Sequence, residues 1–382
     1  MALHRDAAGA VEHGRALGAL RPRLPGWQLH DQVRSQRAVR GGRARVWVPR
    51  LRSAASPIRR PRRLGDLCHR SAQSIRLGPR VDRTSSGPAD LGAGPARWQT
   101  PPGPWPTLCG MPCLVVHGGA GTPPAAERQE RQDAVERALD AGWKEMRLGA
   151  LEAVLAAVRC MEDEPSLNAA VGACLNRDGE IELDAGVMEG TQLRAGAVGA
   201  VKDVRHPVDL AHAILRDGQH VLLCGEGASR FAREHAVETC DPVLFITDRQ
   251  LRNWWDAADT VGAVAHDERG RTAVAVSTGG TYRKWPGRLG DSPLVGAGFY
   301  AEDGMGVACG TGIGEGFMRL CLCHLAVVEM GHGMPSTEVA QKAVQHLARR
   351  VGGLGGMIMI DSSGRPAAAW NSEFMAWSQR IG

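Results

Sequence analysis

The sequence predicts a mixed α+β fold and argues against a doubly wound parallel sheet. Three observations carry this. Apolar runs and helical patterns come in clusters, not in strict βα alternation. Two β-branched runs, 261–266 and 272–276, flank the turn signal Asp267-Glu268-Arg269-Gly270 and read as a hairpin. A glycine-rich stretch, Gly310-Thr311-Gly312-Ile313-Gly314, joins an expected strand at 305–309 to a helical pattern. Its glycines lack the spacing of a dinucleotide loop, and no phosphate-loop lysine follows.

The charge is unevenly spread. The 382 residues carry a net charge of +5, yet residues 1–110 hold 20 Arg, no Lys, 5 Asp and 1 Glu, a balance of +14 that leaves −9 for residues 111–382. This Arg/Pro-rich stretch shows no sustained periodicity and is expected to be disordered. Three functional readings exist: a nucleic-acid-binding arm, with clusters such as Arg59-Arg60-Pro61-Arg62-Arg63 meeting phosphates, an organelle transit peptide, and a dock for an acidic partner. The fourth reading is GC-rich DNA translated upstream of an initiator at Met111. The lack of lysine favours that one and makes nucleic acid an unexpected partner.

From Met111 the character changes. A strand at 113–116 runs into His117-Gly118-Gly119-Ala120-Gly121, where glycine permits positive φ and close backbone approach. Helical spacing covers 127–147 and 150–161. A loop, Ser166-Leu167-Asn168-Ala169-Ala170, leads to expected strands at 173–175, 181–187 and 195–201. A helix at 207–216 starts on proline, a favoured first-turn residue. A strand at 220–224 and a helix ending near His235 follow. Residues 236–259 read as a polar, irregular linker. Beyond the hairpin, 283–293 is a Gly-rich loop and 315–330 a helix. A helix at 336–351 has capping chemistry in Ser336-Thr337-Glu338 and a stop at Gly352-Gly353. Strands at 356–360 and 366–370 close the chain.

Ten cysteines are scattered with no C-x-x-C, and thirteen histidines include no H-E-x-x-H, so no metal site is expected and a reducing cytoplasm fits. Cys321-Leu322-Cys323-His324 reads as part of a helix with buried thiols. No apolar run reaches the ~18 residues of a membrane span, so no membrane association is expected.

Thr260 opens one strand of the hairpin and Thr278 closes the other. Antiparallel pairing places both hydroxyls at the same end of the sheet. A threonine hydroxyl is a weak nucleophile that needs a base. Its own α-amine, freed by cutting the preceding peptide bond, would serve, since a chain-terminal amine titrates at ~7.7–8.0. Taken alone, Thr260 reads more readily as a β-former at a strand start than as a nucleophile.

Five stretches occur in order: 117–121, Asp259-Thr260-Val261-Gly262-Ala263-Val264-Ala265, Ser277-Thr278-Gly279-Gly280, Pro286-Gly287-Arg288-Leu289-Gly290-Asp291-Ser292-Pro293, and 310–315. Together they resemble the plant-type L-asparaginase/isoaspartyl peptidase family of threonine N-terminal-nucleophile hydrolases, over about residues 111–382. The resemblance implies a four-layer αββα sandwich and self-cleavage between Asp259 and Thr260. The resulting subunits would span about 111–259 and 260–382. It implies hydrolysis of L-asparagine or of β-aspartyl dipeptides by Thr260.

The same resemblance assigns roles. Thr278 would hydrogen-bond the nucleophile, and Thr311 and Gly312 would hold the oxyanion and contact substrate. Arg288 and Asp291 would take the substrate's α-carboxylate and α-amine. Asn168, Gly118 and Gly119, with His117, would position the site. Each role has a plainer counterpart: a turn hydroxyl for Thr278, a helix N-cap for Thr311, a surface ion pair for Arg288 and Asp291. Relatives form dimers of processed heterodimers and can hold sodium in a loop matching 167–171. No other cofactor is implied. Ala170 stands where relatives carry glycine. If that position needs positive φ, alanine costs on the order of 1 kcal/mol. Tyr282-Arg283-Lys284-Trp285 depart from the pattern and could reshape substrate preference. Two alternatives remain. One is a glycosylasparaginase-like amidase, disfavoured by cysteine usage and the lack of a secretion signal. The other is a non-enzymatic Arg-rich nucleic-acid-binding chain with an unprocessed hydrolase domain.

Overall fold

The computed structural model describes residues 111–252 and 260–382. The expectations for 1–110 and for the segment 253–259, Asp259 included, lie outside the described residues.

The described chain is mixed α and β with two sheets. In order it runs β1 (Cys113–Gly121), α1 (Ala125–Glu145), α2 (Ala150–Glu162), β2 (Leu183–Glu189), β3 (Ala195–Val201), α3 (Pro207–Asp217), β4 (Leu222–Cys224) and α4 (Gly225–Glu234). A 3-10 turn at Pro242–Phe245 and α5 (Asp248–Arg252) precede β5 (Val261–His266) and β6 (Thr272–Thr278). Then come β7 (Phe299–Glu302), β8 (Gly306–Gly312), α6 (Gly314–Leu320), α7 (Leu322–Gly331), α8 (Ser336–Val351), β9 (Gly355–Asp361), β10 (Pro366–Trp370) and β11 (Phe374–Ile381). The seven-stranded sheet has the order β11-β1-β5-β6-β2-β3-β4, and the four-stranded sheet β10-β9-β8-β7. Within these sheets only β3 and β4 pair in parallel, so the expectation against a doubly wound sheet is met.

Period-two alternation explains the packing. From β5 and β6, Val261, Ala263, Ala265, Ala273 and Ala275 join the cluster that contains α1 and α2 residues such as Val135 and Val158. The alternate residues Val264, Val274 and Val276 join Val307 and Cys309 of β8 and Ile358 and Ile360 of β9. The opposite face of the smaller sheet, through Ala308, Met357 and Met359, packs on Phe317, Leu322, Val327 and Leu347 of α6 to α8. Both faces of each sheet are thus apolar. That is why β5 and β6 read as nearly continuous apolar runs.

Several expectations are corrected. Residues 173–175 form only an isolated bridge, Leu175 to Ile181, and β2 starts at Leu183. The expected helix at 315–330 is two helices, broken at Cys321, whose φ of 47° is left-handed. The expected linker contains the 3-10 turn, capped by the Asp241 carboxylate accepting from Val243 N–H at 3.0 Å. Phe245 anchors it in the core, a burial that contributes about 1.5–3 kcal/mol. The N-cap of α8 is Pro335, with no side-chain cap. Ser336 instead donates its hydroxyl to the Arg365 carbonyl at 2.9 Å. Strands β7 and β11 were not expected; β11 pairs along β1 from Cys113↔Ile381 to Gly121↔Phe374.

Candidate active site

The β5–β6 ladder sets the centre of the site. Its register runs from Val261↔Ser277 to His266↔Thr272, so the residues flanking Val261 and Ser277 meet at one end, as the hairpin reading requires. There the Thr260 hydroxyl donates to Thr278 Oγ1 at 3.3 Å. Both threonines are buried.

A third threonine arrives from the other sheet. Thr311 lies within β8, not at the start of α6, whose N-cap is Ile313. The helix-cap alternative for Thr311 is therefore wrong. Its Oγ1 accepts the backbone N–H of Thr260 at 3.3 Å and that of Ala120 at 3.3 Å. A hydroxyl has two acceptor lone pairs and one O–H. With two N–H groups on the oxygen, the Thr311 proton is the group left to donate elsewhere. Gly312 follows with φ 134°, and a Cβ there would stand 2.4 Å from the Leu354 carbonyl oxygen. Only glycine fits.

The residues expected to position the site, Gly118, Gly119 and Asn168, lie around the three threonines. The β1–β11 pairing shifts register between His117 and Ala120, across Gly118 and Gly119. Gly119 has φ 107°, and this bulge presents the Ala120 N–H to Thr311. A Cβ on Gly118 would stand 2.7 Å from Val135, so that glycine lets α1 approach β1. Asn168 Nδ2 donates to the Gly280 carbonyl at 2.8 Å and reaches Thr278 Oγ1 at 3.5 Å. Its Oδ1 accepts the Cys174 N–H at 2.8 Å. Thr278 Oγ1 also accepts the Gly280 N–H at 3.0 Å. The turn-hydroxyl role and the alignment with Thr260 therefore coexist. Ala170 adopts φ 41°, so its position does require positive φ.

His117 is fully buried beside Gly262. Burial pushes its pKa down to about 3, only partly opposed by the Thr260 backbone. At neutral pH such a ring is a poor proton acceptor. A histidine-assisted threonine is thereby disfavoured.

The substrate-binding candidates meet at the turn after Gly312. A Cβ on Gly314 would stand 2.5 Å from Asp291 Oδ1 and 3.1 Å from Arg288 Nη2. Asp291 is buried, and this burial raises its carboxyl to about 7. Its Oδ2 has no partner among the described residues. Arg288 is engaged: Nε and Nη2 donate to Glu315 at 3.0 and 2.9 Å. The ion-pair alternative is thus realised for Arg288, but with Glu315 and not with Asp291. The Arg288 side chain is 16% exposed and that of Glu315 55%. Glu315 is thus the more exposed half of the pair and the one able to swing away.

Ala120 and Glu315 lie within the motifs 117–121 and 310–315, but sequence reasoning gave them no role, and it missed Glu182 and Asp184 altogether. No local signal marks these contacts, because each acts on a segment distant in sequence. Among the described residues no cluster of His, Cys, Asp and Glu could hold a metal ion.

A family model described as Asparaginase matches residues 110–259 and 255–381. The isoaspartyl peptidase/L-asparaginase of Bos taurus is 37% identical over 284 residues, covering 70% of this chain and 92% of that protein. The protein of the same name from Danio rerio is 38% identical over 284 residues, with the same coverage of 70% and 92%. That from Homo sapiens is 37% identical over 284 residues, again covering 70% and 92%.

Proposed function

The chain belongs to the asparaginase family, and on that premise we propose that it is a self-processing amidohydrolase with Thr260 as its nucleophile. Its substrates are the side-chain amide of L-asparagine, giving L-aspartate and ammonia, and the isopeptide bond of β-aspartyl dipeptides. The observation that carries this reading is the convergence of three threonines. Thr260 Oγ1 lies 3.3 Å from Thr278 Oγ1, while Thr260 N lies 3.3 Å from Thr311 Oγ1.

Kinship with the family implies two stages, and that geometry is compatible with both. In the first, the Thr260 hydroxyl attacks the carbonyl of Asp259. The acyl group shifts from nitrogen to oxygen, and water hydrolyses the ester. Subunits of about 111–259 and 260–382 result, and the Thr260 nitrogen becomes a free amine. In the second, that amine takes the hydroxyl proton as Oγ1 attacks the substrate carbonyl. Ammonia or an amino acid leaves, and water releases L-aspartate from the acyl-enzyme. Thr311 O–H and the Gly312 backbone hold the oxyanion. Arg288 takes the α-carboxylate in a fork once Glu315 yields, and ionised Asp291 takes the α-ammonium. Asn168, Gly118 and Gly119 hold the three threonines in register.

The three apolar clusters support an αββα layering, with the two sheets face to face and helices outside each. The processed enzyme pairs with a second copy. Leu325 of α7 and Val295 are exposed apolar residues on adjoining segments that suit such a contact. The loop at 167–171 suits a structural sodium ion. The carbonyl oxygens of Leu167 and Pro165 both lie close to Gly172 at the end of this loop. Oxygen donors of this kind match a hard cation. The cytoplasmic setting rests on the eight free cysteines of the described residues. Among the described residues no helix is long and apolar enough to cross a membrane.

The test is hydrolysis of L-asparagine and of a β-aspartyl dipeptide by the purified protein, beside Thr260→Ala. Release of aspartate by the wild type and none by the variant is expected. Equal turnover by both would end the proposal.

A further inference from the structure

The substrate loop has almost no secondary structure of its own between β6 and β7. Its placement therefore depends on other contacts, and two carboxylates near the start of β2 supply them. Both oxygens of Glu182 accept the Gly287 N–H, at 3.0 and 3.1 Å. Asp184 Oδ2 accepts the Gly290 N–H at 3.0 Å. The two gripped residues flank Arg288 on either side. Asp184 Oδ1 meanwhile accepts the Ala200 N–H of β3 at 2.9 Å, which ties the grip to the large sheet. Glu182, Asp184 and Lys284 are all buried.

Lys284 ties this grip to the nucleophile. Its Nζ donates to the Glu182 carbonyl at 2.8 Å. Its stem lies against Gly280, where an added Cβ would stand 2.8 Å from Lys284 Cδ and 2.9 Å from Nζ. Gly280 is the residue whose N–H and carbonyl are held by Thr278 and Asn168. Asp184 also sits directly across the ladder from Thr278, so both side chains leave the same face of the sheet. Buried charges persist where they are paired and hydrogen-bonded. Here the two carboxylates are satisfied by backbone amides and the Lys284 ammonium by the Glu182 carbonyl, while Arg288 pairs with Glu315.

We infer that Glu182, Asp184 and Lys284 form a buried hydrogen-bonded brace that fixes the substrate loop, and with it Arg288 and Asp291, at a set distance from Thr260 and Thr278. They are positioning residues, acting on substrate affinity through Arg288 and Asp291 and touching no substrate themselves. The inference rests on the proposed amidohydrolase reading and adds to it a determinant of substrate binding outside the five sequence motifs.

The test compares Glu182→Ala, Glu182→Gln and Lys284→Met in the full chain. Self-cleavage is followed by mass, and KM and kcat are measured for L-asparagine. Self-cleavage reads the three threonines and reports that each variant has folded. Glu182→Ala and Lys284→Met should cleave themselves and show KM raised about tenfold or more, with kcat within about threefold of wild type, because a displaced binding group costs affinity first. Glu182→Gln keeps an acceptor for the Gly287 N–H and should return KM to within about threefold of wild type. An unchanged KM in Glu182→Ala would overturn the inference. Loss of self-cleavage in both Glu182→Ala and Lys284→Met would also overturn it, since the cluster would then serve the fold or the nucleophile. A wild type that neither cleaves itself nor hydrolyses L-asparagine is a separate pattern, and it refutes the Thr260 reading beneath.

Discussion

The nucleophile and the substrate loop belong to one site but are held by different physics. Thr260 and Thr278 stand at the end of a six-pair antiparallel ladder inside a seven-stranded sheet. Their separation is a property of backbone register, and shifting it by one residue would send each side chain into the packing layer on the opposite face of the sheet. Arg288 and Asp291 stand on irregular chain whose place is set by side chains: Glu315 on the guanidinium, Glu182 and Asp184 on the flanking amides. The difference separates rate from affinity. The chemical step rests on the ladder, and substrate preference rests on a loop that single substitutions can move.

The sharpest way to break the first region is Thr311→Val. It removes the O–H donor and the acceptor for the Thr260 nitrogen while keeping the volume. On the processed enzyme kcat should fall about 10²–10³-fold, with a smaller change in KM. Steady-state kinetics on L-asparagine would check this, and a kcat within tenfold of wild type would move the oxyanion role elsewhere.

The second region should respond in affinity. Arg288→Lys keeps the charge but loses the fork, so KM for L-asparagine should rise roughly tenfold with kcat little changed. An unchanged KM would take Arg288 out of the substrate site and leave it as the Glu315 partner alone.

Asp291 sharpens the comparison through pH. Its carboxyl is raised from 3.8 to about 7 by burial. Between those values the unfolded chain ionises this group while the folded chain keeps it protonated. Stability therefore falls as pH rises across that window and levels off above about 7. Asp291→Asn removes this dependence. Its stability advantage over wild type should grow from pH 4 to pH 7, measured by denaturant midpoints. Substrate affinity should move the other way, because only the ionised carboxylate accepts an ammonium. KM of wild type should drop toward pH 8, and that of the variant should stay high.

The smallest effect lies in the loop that carries Asn168. Ala170 is held at φ 41°, so Ala170→Gly should stabilise the protein by about 1 kcal/mol and leave kcat unchanged. A destabilised variant would mean that the buried methyl group outweighs the backbone strain.

What the sequence reveals follows the same division. The hairpin is legible because β-branched runs flank a turn, and Thr260 and Thr278 are then located by their strands, whereas Thr311 is marked by its motif and its place within β8 is not legible. The positive φ at residue 170 is legible from the glycine it replaces. The break at Cys321 is not, because nothing in a cysteine signals a left-handed backbone. Strand β11 is hidden because the polar run Ser378-Gln379-Arg380 breaks the apolar alternation of Phe374–Ile381, and its strand structure comes with pairing to β1, more than 250 residues away in the chain. Glu182 and Asp184 escape for the same reason, since their partners lie 105 and 106 residues on. Glu315 is visible as a motif residue, but its grip on Arg288 requires the turn at Gly314.

The central claim is that Thr260 becomes a chain terminus. The intact mass of the purified protein after incubation at neutral pH tests it directly. Two species, one beginning at Thr260 and running to Gly382, are the predicted result. A single unbroken chain that remains whole on prolonged incubation would contradict the account.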